Sequence, residues 1–319
     1  MSVQLLARRS YDAGDLARRH PPNWRNSHKA AIHDHLTAVL PEPQGRIDVT
    51  RWSPSPRAER LPNQRPTVAV SPGYFPYDPD PAAWHLNFAD ENLFGAYGSS
   101  LLAQDELQVL EHPILASVRE AWSSEGLPPY TVDGDRPTPV LVRGAERRCA
   151  LDLAPNAAGG RPHGLYGNAF ARAPLAAVLD AVRPIDPPTT SHILAIEAPA
   201  YGDGRYTRET LRFVIETAAS GFAAAMQETP SGECTIHTGF WGCGAYGGSR
   251  EAMTQLQVVA ARVAGIPHVV FHAGRSPEIA AAAIAQLEAH PSWHAEATEN
   301  DLVEAIFGFA HEWGESDGN

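Results

Sequence analysis

Cysteine is scarce in this chain, lysine scarcer, and no long apolar run occurs. Three cysteines (Cys149, Cys234 and Cys243) are too few and too scattered for a disulfide framework, so a reducing, cytoplasmic compartment is expected. No ordered cysteine–histidine spacing of a zinc site accompanies them, and Cys234 and Cys243 read as buried small apolar residues. The longest apolar stretches, such as Ile279 to Ala285, fall well short of the roughly 20 residues a membrane span needs. Met1 to Arg9 lacks a hydrophobic segment of signal-peptide length. Positive charge is short as well: 37 acidic residues face 25 basic ones, a net charge of −12, which argues against gripping a nucleic-acid backbone. Lys29 is the only lysine, a bias that reads as the codon usage of a GC-rich bacterial genome. A Gly-x-Ser-x-Gly elbow is missing, which disfavours a serine hydrolase. His33-Asp34-His35 looks like a metal pair, yet residues two apart point to different faces of a helix, and no metal is expected.

What is present is an ordinary globular composition, 43% hydrophobic over 319 residues, enough for a real core and against disorder. Residues 1–66 are rich in proline and arginine and read as an N-terminal extension that wraps the core, with a helical pattern at His28 to Leu40 and a β-like stretch at Ile47 to Trp52. From residue 67 to 319, short β runs alternate with amphipathic helical patterns. Strands are expected at Thr67–Val70, Trp84–Ala89, Pro139–Val142, His192–Glu197, Cys234–Thr238 and His268–His272. Helices are expected at Pro113–Ser123, Ala173–Val182, Thr207–Met226, Ser249–Ala264, Pro277–Ala289 and Asn300–Glu312. Such alternation predicts an α/β sheet covered on both faces, with a ligand site just after Ala89, Glu197, Thr238 and His272.

Two segments carry chemistry. After the β run ending at Thr238, the loop Phe240-Trp241-Gly242-Cys243-Gly244-Ala245-Tyr246-Gly247-Gly248 feeds a helix with Ser249 as its N-cap. Glycines let backbone N–H groups crowd around an anion, and a helix start adds its free amides, so the pair reads as a diphosphate cradle. The spacing is not the Gly-x-Gly-x-x-Gly of a dinucleotide fold. The second segment runs from Phe88-Ala89-Asp90 through Gly95 to Gln104-Asp105-Glu106. Two adjacent carboxylates among leucines resist ionisation, which suits a general acid near neutral pH. The cluster Tyr74-Phe75-Pro76-Tyr77 reads as packing, with an adenine pocket as its other possible role.

With these residues the chain resembles the poly(ADP-ribose) glycohydrolases, which are built on a macrodomain. Trp241 to Gly248 is similar to that family's Trp-Gly-Cys-Gly-Ala-Phe-Gly-Gly, with Tyr246 in place of the phenylalanine that packs on ADP-ribose. Phe88-Ala89 and Gln104-Asp105-Glu106 match Phe-Ala-Asn and Gln-Glu-Glu at the family's spacing, and Ile193 to Phe222 resembles the stretch between the blocks. The resemblance spans about residues 65–275 and implies a macrodomain-like mixed sheet with helices on both faces. It implies hydrolysis of O-glycosidic ribose bonds in ADP-ribose polymers or conjugates without a cofactor. Glu106 is then the acid/base and Asp105 the ribose-positioning acid. Tyr166, in Gly164-Leu-Tyr-Gly-Asn-Ala-Phe170, matches the aromatic that lies over the ligand. The departures are Asp90 for asparagine, Phe94-Gly95-Ala96 for three glycines, Asp105 for glutamate and Phe240 for asparagine. Phe94 and Ala96 are expected to intrude where backbone approaches phosphate, and Asp90 to place a negative charge near the ribose. Together the departures imply altered substrate preference or reduced activity. Two other readings stand beside this one: a module that binds ADP-ribose without cleaving it, and a hydrolase or binder of another nucleotide-like ligand.

Overall fold

A computed structural model describes residues 2–77, 79–294 and 296–318. Eight strands form one mixed sheet: β1 (Leu5–Asp12), β2 (Arg46–Trp52), β3 (Thr67–Ser71), β4 (Ala83–Ala89), β5 (Val140–Leu151), β6 (Val182–Glu197), β7 (Thr235–Gly239) and β8 (His268–His272). Their order across the sheet is β1-β2-β5-β6-β4-β7-β8-β3. From β6 to β3 neighbouring strands run parallel, and from β6 to β1 they run antiparallel. The segment 1–66 thus supplies two strands of the sheet. Its stretch after Trp52 is then held against the helices by Ser55 N–H on Ser220 Oγ (2.7 Å) and Leu61 N–H on Ala297 O (3.1 Å).

The period-2 alternation of the strands explains why both faces are covered. In β6, Leu194 and Ile196 point into one cluster with Trp84, Leu86 and Ile236, while Ile193 and Ala195 point into another with Val140 and Val142. The first face is closed by the helices Arg208–Gln227 and Arg250–Ala264, which contribute Leu211, Ile215, Phe222 and Leu256 at helical spacing. The second is closed by Gln104–Glu111 and Ile114–Ser124, through Val109, Leu115, Val118 and Trp122.

The elements from β3 onward follow the sequence reading closely: the helix expected over Asn300–Glu312 ends at Gly308, and three larger differences stand out. β5 and β6 extend far beyond Pro139–Val142 and His192–Glu197 as an antiparallel ribbon with register shifts at Arg143/Ala145 and Arg147/Cys149. At the first shift Gly144 has φ +87°, and a Cβ there would stand 2.4 Å from Arg46 O, so a side chain is excluded. The helix expected over Ala173–Val182 is shorter, Leu175–Asp180, because Val182 already starts β6. Finally, the sequence pattern does not announce the helix Gln104–Glu111, whose first turn holds Asp105 and Glu106. No helix among the described residues is long and apolar enough to cross a membrane.

Candidate active site

The parallel strands β4, β6, β7 and β8 end on one side of the sheet. There a cleft of about 1210 Å³ opens, lined by Ala89, Ala198, Gly239 and His272 or the residue that follows each strand. Of the residues singled out in the sequence, Phe88, Ala89, Asp90, Gly95, Gln104, Asp105, Glu106, Tyr166, Phe240, Trp241, Gly242, Cys243, Gly244, Ala245 and Tyr246 all line it. Gly247 stands just outside; its N–H donates to Gly244 O (3.1 Å).

Gln104 has a structural reason to be glutamine. β7 pairs with β4 only as far as His85, which leaves Leu86 O and Phe88 N–H without a strand partner on that side. The Gln104 amide fills the gap: Phe88 N–H donates to its Oε1 (2.8 Å) and its Nε2 donates to Leu86 O (3.0 Å). This clamp fixes the start of the helix against β4 and brings the two carboxylates over the strand end. Asn87, fully buried, donates from Nδ2 to Asp105 Oδ1 (2.9 Å). Glu106 Oε2 accepts from Ala103 N–H (2.9 Å), the N-cap residue of its own helix. Both carboxyls are more than nine-tenths buried. Burial, reinforced by the charge of its neighbour, pushes Asp105 up from the ordinary carboxylate range, and burial pushes Glu106 up against the opposing pull of Lys29.

The glycine loop faces this pair. Trp241 anchors it from below: its side chain is fully buried and Nε1 donates to Ile196 O (3.2 Å) at the end of β6. Gly242 has φ +73°, and Ser249 Oγ caps the next helix by accepting from Ala252 N–H (3.2 Å). Tyr246 Oη donates to Asp90 Oδ2 (3.0 Å), so the two loops are latched across the cleft. Tyr166 lies beside the pair, stacked on Tyr74 with ring centroids 6.2 Å apart. The far end is aromatic, with Phe75 edge-on to His272 (5.0 Å) and to Phe88 (6.4 Å). Glu197 is pushed up to about 7 by burial and by the charges of Asp90 and Glu91.

Phe94 departs from expectation. It adopts φ +52°, the left-handed backbone a glycine takes freely, and its fully buried side chain turns into the core beside Leu93, Tyr97 and Leu115. Gly95 and Ala96 line the cleft instead, so Phe94 does not intrude. Nor is Asp90 a bare charge, since Tyr246 Oη and Asn92 N–H (3.0 Å) both donate to it.

Two groups escape sequence reasoning. One is Lys29, buried beneath the loop that precedes Glu106. Its being the only lysine is the available signal. The other is the chain's end. Trp313 stacks flat on Tyr206 (4.5 Å, 4°), Gly314 N–H donates to Gly247 O (2.8 Å), and Asp317 N–H to Gly244 O (3.3 Å). Glu315 and Asp317 thereby line the cleft at the glycine loop. Among the described residues no group of three or more His, Cys, Asp or Glu could hold a metal ion.

The family model described as poly(ADP-ribose) glycohydrolase, macro domain fold, matches residues 166–281, about a third of the chain. No protein of curated function matches the sequence. Among solved structures, the poly(ADP-ribose) glycohydrolase of Thermomonospora curvata is 18% identical, with 88% of this chain and 85% of that one covered at a TM-score of 0.46. The Deinococcus radiodurans enzyme, in complex with ADP-ribose, is 13% identical, with 88% and 94% covered at a TM-score of 0.41. The family match runs from Tyr166 through the end of β6 to the whole glycine loop, so this stretch is similar to the poly(ADP-ribose) glycohydrolases of macro domain fold, the family the motifs resemble.

Proposed function

We propose that this protein hydrolyses O-glycosidic ribose bonds in ADP-ribose polymers or ADP-ribose conjugates, releasing ADP-ribose, with Glu106 as acid/base. The observation that supports the reading is the convergence of two motifs on one cleft: a buried carboxyl pair opposite a glycine loop that lies inside the family match. Cleavage of a ribosyl bond needs a proton on the departing oxygen while an oxocarbenium-like ribose forms. Glu106, whose protonated form burial favours, supplies it and then accepts a proton from the attacking water. Asp105, held by Asn87, positions the ribose and stabilises the positive charge that develops on it. The amides of Gly242, Gly244, Ala245 and Tyr246 hold the diphosphate so that the reacting carbon faces Glu106. Tyr166 and Tyr246 flank the ligand. The free thiols of Cys149, Cys234 and Cys243 fit a reducing compartment, and we place the protein in the cytoplasm. Incubation with poly(ADP-ribose) tests the proposal: free ADP-ribose appears if it holds, and intact polymer beside folded protein refutes it.

The sign of the pH dependence follows from the acid role. The starting complex needs Glu106 protonated, so the rate falls as pH rises through its pKa. Because burial raises that pKa, the alkaline fall is expected above the roughly 4.3 of an ordinary glutamate. A rate profile that falls at or below that ordinary value would contradict the assignment.

The chain's end sets the affinity. Asp317 brings a carboxylate to the glycine loop where a diphosphate would lie, and like charges there repel. Asp317→Asn is expected to tighten ADP-ribose binding about fivefold, or ~1 kcal/mol for an exposed charge pair. The gain should shrink in high salt. Calorimetric titration at two salt concentrations checks it, and an unchanged Kd at low salt would exclude Asp317 from the diphosphate position.

A further inference from the structure

Lys29 is completely buried, although a buried ammonium is costly unless its protons are bonded and its charge is met. It stands in the first turns of the helix Ser27–Val39, four residues after Arg25, which lines the cleft. Its Nζ donates to Tyr97 O (2.8 Å) and to Leu101 O (2.6 Å). Both carbonyls belong to the loop between β4 and the helix Gln104–Glu111, and that loop runs on to Ala103, whose N–H holds Glu106 Oε2. The two carbonyls take two of its three protons and leave the charge. The charged groups that face Lys29 are Glu106 and Asp105, which attract it, and Arg25, which repels it. Glu106 in turn faces Lys29, Asp105 and Asp90. Lys29 is not among the cleft-lining residues, so it does not reach a ligand.

We propose that Lys29 is a positioning residue for Glu106: its ammonium fastens the loop that holds the Glu106 carboxylate, and its charge lets the buried Asp105–Glu106 pair keep one proton instead of two. Charge balance carries the second half. A dry pocket favours the neutral state. With the ammonium present, neutrality means one proton shared by two carboxyls, which leaves an acid and a carboxylate side by side. Without it, neutrality means two protons, and the ionised Asp105 that stabilises the positive charge developing on the ribose is lost. Burial lowers Lys29 to about 8, so it is charged at neutral pH. Lysine suits the place better than arginine, being compact, with donors that spread to two carbonyls. The inference rests on the reading of Glu106 as acid/base.

The test pairs Lys29→Met with Lys29→Arg. The Asp105 and Glu106 carboxyls are titrated by carbon-13 NMR, with kcat, KM and ADP-ribose affinity measured on the same samples. In Lys29→Met both carboxyl titrations should move up by about one pH unit or more, the size of losing one nearby opposite charge. Its kcat near neutrality should drop at least about tenfold, with KM and Kd within about twofold, because no ligand contact is lost. Lys29→Arg should keep the original titration. If the methionine variant fails to fold, Lys29→Gln, which keeps a donor and loses the charge, carries the same measurement. A purely structural lysine would lower kcat or Tm and leave the carboxyl titrations in place, and that result overturns the proposal. The titration decides even if the unmodified protein proves inactive on the polymer, an outcome that would sink the hydrolase reading alone.

Discussion

Glu106→Gln is expected to slow ADP-ribose release by about a thousandfold while leaving ADP-ribose affinity within a few-fold. The two side chains have the same shape, so the contact with Ala103 N–H survives through the amide oxygen, and the loop stays in place. What disappears is the proton: an amide neither protonates a departing ribose oxygen nor takes a proton from water. The affinity should hold because binding falls to the glycine loop and the flanking aromatics, which the substitution does not touch. Rates from initial ADP-ribose release and Kd from calorimetry separate the two effects. A variant that retains a tenth or more of the activity would mean that another group is the acid, and Asp105 would be the first alternative, being equally buried.

Gly242→Ala should destroy binding instead of chemistry. Gly242 has φ +73°, where an L-residue costs about 1–2 kcal/mol. Its Cβ would also lie 2.5 Å from the Ala198 Cβ, just beyond the end of β6. Neither atom can yield without moving the loop, because Trp241 pins the loop from below and Gly248 N–H closes it on Gly242 O (2.9 Å). The amides proposed to cradle the diphosphate must therefore shift, and ADP-ribose affinity should fall at least tenfold, the equivalent of about 1.4 kcal/mol. Tm should drop by a few degrees. Gly265→Ala is the control: it has the same backbone strain (φ +74°) with nothing within 4 Å of the added carbon. It should lower Tm modestly and leave affinity unchanged. Equal Kd values for both variants would remove Gly242 from the binding loop.

How far the sequence can be read depends on which faces are buried. β4, β7 and β8 lie inside the sheet, and their short runs of β-branched, aromatic and other apolar residues announce them. β1 is an edge strand whose residues are mostly exposed, so no alternation marks it, and only its backbone pairing with β2 makes it a strand. The outer halves of β5 and β6 pair mainly with each other, and Pro184, Pro187 and Pro188 hide the second of them. At the site, the acidic pair and the glycine loop are legible because their chemistry is local to a few adjacent residues. Phe94 misleads because composition says nothing of backbone handedness: at φ +52° a phenylalanine does what a glycine would and buries its ring elsewhere. Lys29 and Asp317 are illegible for another reason. They approach Glu106 and Gly244 from distant parts of the chain, and only the fold brings such charges together.

The central claim is that this cleft binds ADP-ribose and cleaves its ribosyl bonds. The most direct measurement is a calorimetric titration with ADP-ribose run beside hydrolysis of an ADP-ribose polymer by the same preparation. The account predicts saturable binding at one site per chain together with release of ADP-ribose that Glu106→Gln abolishes. Absence of both binding and release from a folded sample would contradict it.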